Sequence, residues 1–164
     1  MNRKNFLTII GLLLLSFTGM AQKPVVGCID RSVRLQADEI KRHYTDQGFT
    51  VYRDAMINME SMVPSQVMLE LQRGKTYLVV FVGHPAAQRM NLEVWNSDDH
   101  KIGEKSTARN REQPNYIIYN ITPASTDAYL IIVMQKLKQE HMCGSISILG
   151  LETNGKEVAI KPYQ

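Results

Sequence analysis

Residues 67–82, VMLELQRGKTYLVVFV, decide how this chain is read. Two apolar runs flank Gln72-Arg73-Gly74-Lys75, a turn-forming tetrad. The second run, Thr76 to Val82, is the most β-prone in the chain. It is β-branched and aromatic, carries no Gly or Pro, and is apolar at every other position and at the positions between. Runs of this kind belong to strands covered on both faces.

Outward from that stretch the same strand-like periodicity recurs. Further strands are expected at 49–55, 66–71, 91–96, 115–121, 128–135 and 144–149, with Thr76–Val82 itself at 76–82. Asn154-Gly155 is a hairpin turn signal and predicts a short terminal hairpin within Glu152 to Ile160. Short strands at this spacing, separated by turn-rich segments, indicate a sandwich or barrel. The longest polar connection, Ser97 to Pro114, is expected to be the most mobile segment.

The periodicity is helical only before Phe49. Val33, Ala37, Ile40 and Tyr44 fall at i, i+4, i+7 and i+11, a narrow apolar stripe over 32–47. Ser32 or Asp30 can cap its start. Asp38 and Arg42 form an i, i+4 charge pair on the outer side. Gly48 stands just past the end, where a left-handed residue is needed. Docking on the chain's own sheet is the plain reading of such a stripe, and a partner-binding helix is the alternative.

The N-terminus carries a targeting pattern. Arg3-Lys4 precedes an apolar run from Phe6 to Phe17, and Gly19 and Ala21 suit cleavage after Ala21. The run is too short to span a bilayer, which takes ~20 apolar residues. Val25-Val26-Gly27-Cys28 resembles a weak lipobox, but Lys23 and Pro24 separate it from the apolar run. The expected division is a signal peptide at 1–21, an N-terminal segment and helix at 22–48, and a sandwich at 49–164. Helix and sandwich form one globular domain. The whole chain has 19 Lys+Arg and 16 Asp+Glu. Removing Arg3 and Lys4 leaves 17 and 16, a net charge of +1, which carries no footprint for nucleic acid. No transmembrane segment is expected in the mature chain. The periplasm is the expected compartment, with the cell envelope or the exterior as alternatives.

Both cysteines survive cleavage. An even cysteine count in an exported chain predicts a Cys28–Cys143 disulfide. A loop of that length is worth ~4–5 kcal/mol in the chain-entropy model.

Further residues carry a resemblance. Leu71 to Thr76 and Tyr77, leading into Leu78-Val79-Val80, resemble the G-x-x-Y start of bacterial pre-peptidase C-terminal domains. Asn91-Leu92-Glu93-Val94-Trp95-Asn96 with Asp98-Asp99 looks like their next strand and turn. Tyr116 to Tyr119, Thr122-Pro123 and Ala128 to Ile132 look like their close. The match covers about 64–150. The leader ending in Met20-Ala21-Gln22 resembles those of Bacteroidetes exported proteins. The resemblance implies a jelly-roll β-sandwich, usually an accessory module of secreted proteins. Some relatives bind calcium through acidic loops, but no matching ligand set can be placed here. The fold expected is thus mainly β: an antiparallel jelly-roll-like sandwich of 7–9 strands, with the N-terminal helix packed on a sheet.

Chemistry-bearing residues are sparse. Asp98-Asp99-His100 is the most polar cluster, but two adjacent carboxylates fall short of the 6–8 oxygens calcium takes. His84, His100 and His141 lack a spacing that pre-organises zinc. A Cys143–His141 nucleophile pair would be abolished by the disulfide. No GxSxG, HExxH, P-loop or GxGxxG is present, and Glu93 or Glu140 alone makes no glycosidase pair. Trp95 with Tyr116, Tyr119 or Tyr129 could stack on a sugar, or serve as core. Met56, Met59, Met62 and Met68 could form an adaptable surface, or fill gaps in the core.

No catalytic, cofactor or metal residue is therefore expected, and the chain is not read as an enzyme. The function expected is a non-catalytic exported module binding another envelope or secreted protein, or an accessory subunit. A small-ligand or glycan binder is the alternative. One further expectation follows from patterning. Thr76–Val82, Tyr116–Ile121 and Tyr129–Met134 are apolar on both faces, so they are expected to share one sheet beneath the Val33/Ala37/Ile40/Tyr44 stripe.

Overall fold

The computed structural model describes residues 28–108, 114–138, 141–153 and 159–163. The expected leader, the first three residues of the Val25–Cys28 box, Glu140 and the Asn154-Gly155 turn lie outside the described residues.

Among the described residues one helix, α1 (Arg31–Thr45), precedes eight strands: β1 (Thr50–Glu60), β2 (Ser65–Leu71), β3 (Lys75–Val82), β4 (Arg89–Trp95), β5 (Lys101–Ala108), β6 (Tyr116–Ile121), β7 (Asp127–Lys136) and β8 (His141–Glu152). All the strand pairings are antiparallel. Sheet A runs β1-β8-β3-β6 and sheet B runs β2-β7-β4-β5. Interleaving strands in this order is jelly-roll topology. It explains why the Gln72-Arg73-Gly74-Lys75 turn joins strands of different sheets: Gly74 supplies the positive φ of 85° that the corner needs.

β3 is buried along its whole length after Lys75. Tyr77, Val79 and Phe81 point between the sheets, where they meet Ile117, Ile146 and Ile148 of sheet A and Leu92, Val94, Ile131 and Val133 of sheet B. Leu78, Val80 and Val82 point the other way, into a second core with Leu149 and with Val33, Ala37, Ile40 and Tyr44 of α1. The helix therefore lies on the outer face of sheet A.

Three devices hold α1 there. Asp30 caps its start, accepting from the Ser32 and Val33 amides at 2.9 and 3.2 Å. Cys28–Cys143, with Cα atoms 5.5 Å apart, ties the residues before the helix to β8. Residues 159–163 seal its far end. The Lys161 amide donates to Gln47 Oε1 at 2.9 Å, the Tyr163 amide donates to Tyr44 Oη at 3.3 Å, and the Tyr163 ring meets His43 and Tyr116 edge-on. Gly48, at φ 94°, turns the chain out of the helix.

Several details differ from expectation. Tyr129–Met134 lies in β7, at the centre of sheet B, and does not share the sheet of the other two doubly apolar strands. Apolar patterning reports that a strand is covered, but not which sheet it joins. The 97–114 connection contains β5, whose exposed Lys-, Glu- and Ser-rich sequence hides its strand character. Asp38 does not pair with Arg42. Lys41 bridges Asp38 at 2.9 Å and Asp54 of β1 at 2.6 Å instead, pinning the helix to the sheet edge.

Candidate protein-binding face

The two outer faces of the sandwich are built from similar side chains, but only one is covered by described residues. Along β7, Tyr129, Ile131, Val133 and Gln135 are buried, whereas Leu130, Ile132 and Met134 are partly exposed. The period of two places those three on the outer face of sheet B. Register completes the surface. Leu130 stands between Met68 of β2 and Trp95 of β4. Ile132 stands between Gln66 and Glu93, and Met134 faces Asn91. Met68 is 70% exposed, the second most exposed of the large apolar side chains described.

The rim is charged and graded. Arg89 lies opposite Lys136 at one end. Glu93 and Glu104 stand in the row of Ile132, Lys101 in the next row with Trp95 and Leu130, and Glu70 toward the other end. Trp95 is held in place by this rim. Its Nε1–H donates to Glu93 Oε2 at 2.9 Å, and Asn91 Nδ2 donates to Glu93 Oε1 at 3.1 Å. Lys101 Nζ reaches Glu104 at 2.6 Å and sits 5.9 Å from the centre of the Trp95 ring. The Glu104 carboxyl is thereby held below its ordinary range, chiefly by the hydrogen bond from Lys101. Asn91 Oδ1 is buried and finds no hydrogen-bond partner among the described residues, an uncommon state for a polar atom.

A second polar cluster surrounds the disulfide. Gln135 is fully buried between the sheets. Its Nε2 donates to the Cys143 carbonyl at 3.2 Å, and its Oε1 accepts from the His84 amide at 3.0 Å. His84 Nδ1 accepts from the Ala86 amide at 2.9 Å, which leaves Nε2 facing Asp30 at 3.4 Å. Burial works against ionisation of Asp30. The Ser32 hydroxyl, the two capping amides and His84 outweigh it and hold the carboxyl below its ordinary value. Asp30 thus fastens the start of the helix, and Gln135 ties β7 to β8 and to the His84 turn.

The other candidates do not converge. Among the described residues no three His, Cys, Asp or Glu side chains are grouped to hold a metal. His84 pairs with Asp30, and His141 lies 4.0 Å from Glu60. His100 and Asp98 are turn residues, their amides donating to Asn96 Oδ1. The Cys143 sulfur is bonded to Cys28. Tyr129 belongs to the inter-sheet core, Tyr119 packs over Gly103, and Tyr116 lies under Tyr163. Met59 is core, Met56 packs beneath the helix, and Met62 and Met68 are exposed. A pocket lined by Pro85, Arg89, Thr107 and Asn115 has a volume of about 30 Å³, far below the ~300–1,000 Å³ of small-molecule sites. Among the described residues no helix is long and apolar enough to cross a membrane.

No family model matches the chain, and no curated protein matches it. Neither comparison thus shows the likeness to pre-peptidase C-terminal domains. Among solved structures, the chain is similar at a TM-score of 0.45 and 15% identity to PliG of Aeromonas hydrophila, described as a periplasmic lysozyme inhibitor of g-type lysozyme; the match covers 64% of this chain and 90% of that one. It is also similar, at a TM-score of 0.30 and 13% identity, to the glycosylation-associated protein Gap123 complex of Streptococcus agalactiae, covering 71% of this chain and 44% of that one.

Proposed function

We propose that this chain is a non-catalytic exported module that binds another envelope or secreted protein through the outer face of sheet B. The observation that carries the reading is the outward row Leu130, Ile132 and Met134 on a central strand, continued by Met68 and Trp95, with no described element over it. A central strand is the worst place to leave such a row in water, and contiguous apolar patches with polar rims mark interaction surfaces. The partner that fits presents an apolar ridge, acidic where it meets Arg89 and Lys136 and basic where it meets Glu70, Glu93 and Glu104. The Cys28–Cys143 bridge suits an oxidising compartment such as the periplasm. Lys101 over the Trp95 ring counts against the glycan alternative, because it occupies a face on which a sugar would stack.

The test uses a photo-crosslinking residue at position 132, with position 35 on the exposed side of α1 as control. The reading expects one protein to be captured from position 132 and not from 35. Purified, that protein must bind the disulfide-intact chain and lose at least ~10-fold affinity to Leu130→Glu. Equal labelling from both positions, or affinity unchanged by Leu130→Glu, overturns it.

A further inference from the structure

Four strand edges bound the two sheets: β1 and β6 in sheet A, β2 and β5 in sheet B. Exposed edges are templates for pairing with another chain, and proteins blunt them with charges, bulges and coverings. Three of the four are blunted here. β1 has a break of register between Val51 and Arg53 and carries Arg53, Asp54 and Glu60. β5 has a break of register against β4 and carries Lys101, Glu104 and Lys105. The Ile118 carbonyl of β6 accepts from Lys105 Nζ at 3.1 Å. β2 is different. It pairs with β7 over Ser65–Leu71 without a shift, holds no Lys, Arg or Pro, and has Glu70 as its one charged residue.

Among the described residues no strand pairs with the outer edge of β2, and a side chain of the other sheet meets that edge only at Glu70. The Glu70 carbonyl accepts from Tyr52 Oη at 3.2 Å, and Tyr52 stands on β1 of the other sheet. That carbonyl therefore points away from β7. Since backbone groups alternate sides along a strand, the N–H and C=O of Gln66, Met68 and Glu70 face the open edge. Their side chains are the exposed ones of β2, on the apolar face already described.

We infer that the open edge of β2 pairs antiparallel with β2 of a second copy of this chain, around a two-fold axis at Met68. The sequence Ser65-Gln66-Val67-Met68-Leu69-Glu70-Leu71 is nearly palindromic in character about Met68. That register sets Met68 against Met68, Gln66 against Glu70, and Val67 against Leu69. Each edge-facing residue meets an edge-facing residue, so three pairs form: a central Met68–Met68 pair with both bonds, and two Gln66–Glu70 pairs in which the Glu70 carbonyl is shared with Tyr52 Oη. Two-folds at Val67 or Leu69 also set edge-facing residues together, but their flanking pairs bring in Pro64, which has no N–H, or Gln72, whose N–H is taken by Tyr77 Oη. The other symmetric registers are worse. One centred on Glu70 places two carboxylates opposite each other. One centred on Gln66 brings Pro64, which has no N–H, into the ladder. A two-fold falling between residues would set edge-facing groups against groups already bonded to β7. The Met68 register also joins the outer faces of both sheets B into one eight-stranded surface, with the Met68–Leu130–Trp95 row running through the axis. An isologous contact closes and does not propagate. The inference stands on the edge alone and does not require the partner proposed above.

The test is sedimentation equilibrium of the bridge-intact chain with two variants. Met68→Pro removes an N–H that faces solvent in the monomer, a position where an edge strand tolerates proline. Wild type is expected to show a concentration-dependent monomer–dimer equilibrium. Met68→Pro is expected to be monomeric throughout, with the unfolding midpoint of dissociated wild type. Met68→Cys supplies the geometric readout. In this register the two introduced sulfurs fall across the axis and crosslink on mild oxidation, while Gln66→Cys, which faces Glu70, does not. A wild-type monomer up to ~1 mM, a Met68→Pro protein that still dimerises, or equal crosslinking by both cysteine variants overturns the inference. So does a dimer abolished by Ile132→Glu but not by Met68→Pro, since that contact would be face to face. A chain that is monomeric alone and protects β2 only when an extended segment of another protein is added also overturns it.

Discussion

The outer faces of sheets A and B carry comparable apolar rows and have opposite fates. On sheet A, Leu78, Val80, Val82 and Leu149 are buried under α1, at 2% exposure or less. On sheet B, Leu130, Ile132, Met134 and Met68 remain accessible. The difference lies in attached chain. Sheet A has a helix, a disulfide, an N-cap and the 159–163 segment arranged around its face; among the described residues, sheet B has only its own charged side chains. A side chain under the helix therefore works for stability, while an equally apolar one on sheet B is free to work for recognition.

The strongest way to break the contrast is to release the cover. Replacing both cysteines, Cys28→Ser with Cys143→Ser, opens a loop closed over a sequence separation of 115 residues. The expected loss is ~4 kcal/mol in the chain-entropy account. Equilibrium denaturation with and without reductant measures it, and a loss below ~1 kcal/mol would mean that α1 stays docked without the bridge.

A direct comparison of the two faces comes next. Ile40 of α1 is fully buried against sheet A. Ile40→Asp is expected to cost ~2–4 kcal/mol, because it places a carboxylate in an apolar core. Ile132→Asp, the same change on the accessible face of β7, is expected to cost less than ~1 kcal/mol. Urea midpoints of the two variants decide the matter. Equal costs would show that the sheet B face is covered in the folded protein.

The smallest effect concerns the cap. Asp30→Ala is expected to lose ~1 kcal/mol at neutral pH. The sign of its pH dependence is set by a folded-state carboxyl held below its ordinary value. That contribution is complete above the unfolded value near ~3.9 and is lost as pH falls through the folded value. Stability curves of wild type and Asp30→Ala should therefore run apart at neutral pH and converge in acid. A constant gap down to the lowest pH would exclude Asp30 as a charged cap.

The helix stripe was legible because a helix is a local structure. Val33, Ala37, Ile40 and Tyr44 repeat on one face whatever lies opposite, and all four are buried in the structure. Strands were legible where patterning was strong, as in β3. β5 was missed because an exposed edge strand has no apolar row to betray it. The proposed binding face was half legible. The double apolar character of β7 was visible in Tyr129–Met134, but its sheet was not, because β7 pairs with β2 and β4, far away in sequence.

The sequence by itself determined the secondary structure of the strongest elements, the buried character of β3, the amphipathic helix and the two cysteines available to a bridge. Those follow from propensity and period, which act over a few residues. Only the tertiary structure decided which strands share a sheet, and so which apolar row went under the helix and which stayed in reach of solvent. Jelly-roll pairing sends β6 to sheet A and β7 to sheet B. That choice depends on long-range ladders and on the side of the sandwich to which α1 is tied, and no local pattern in β7 records it.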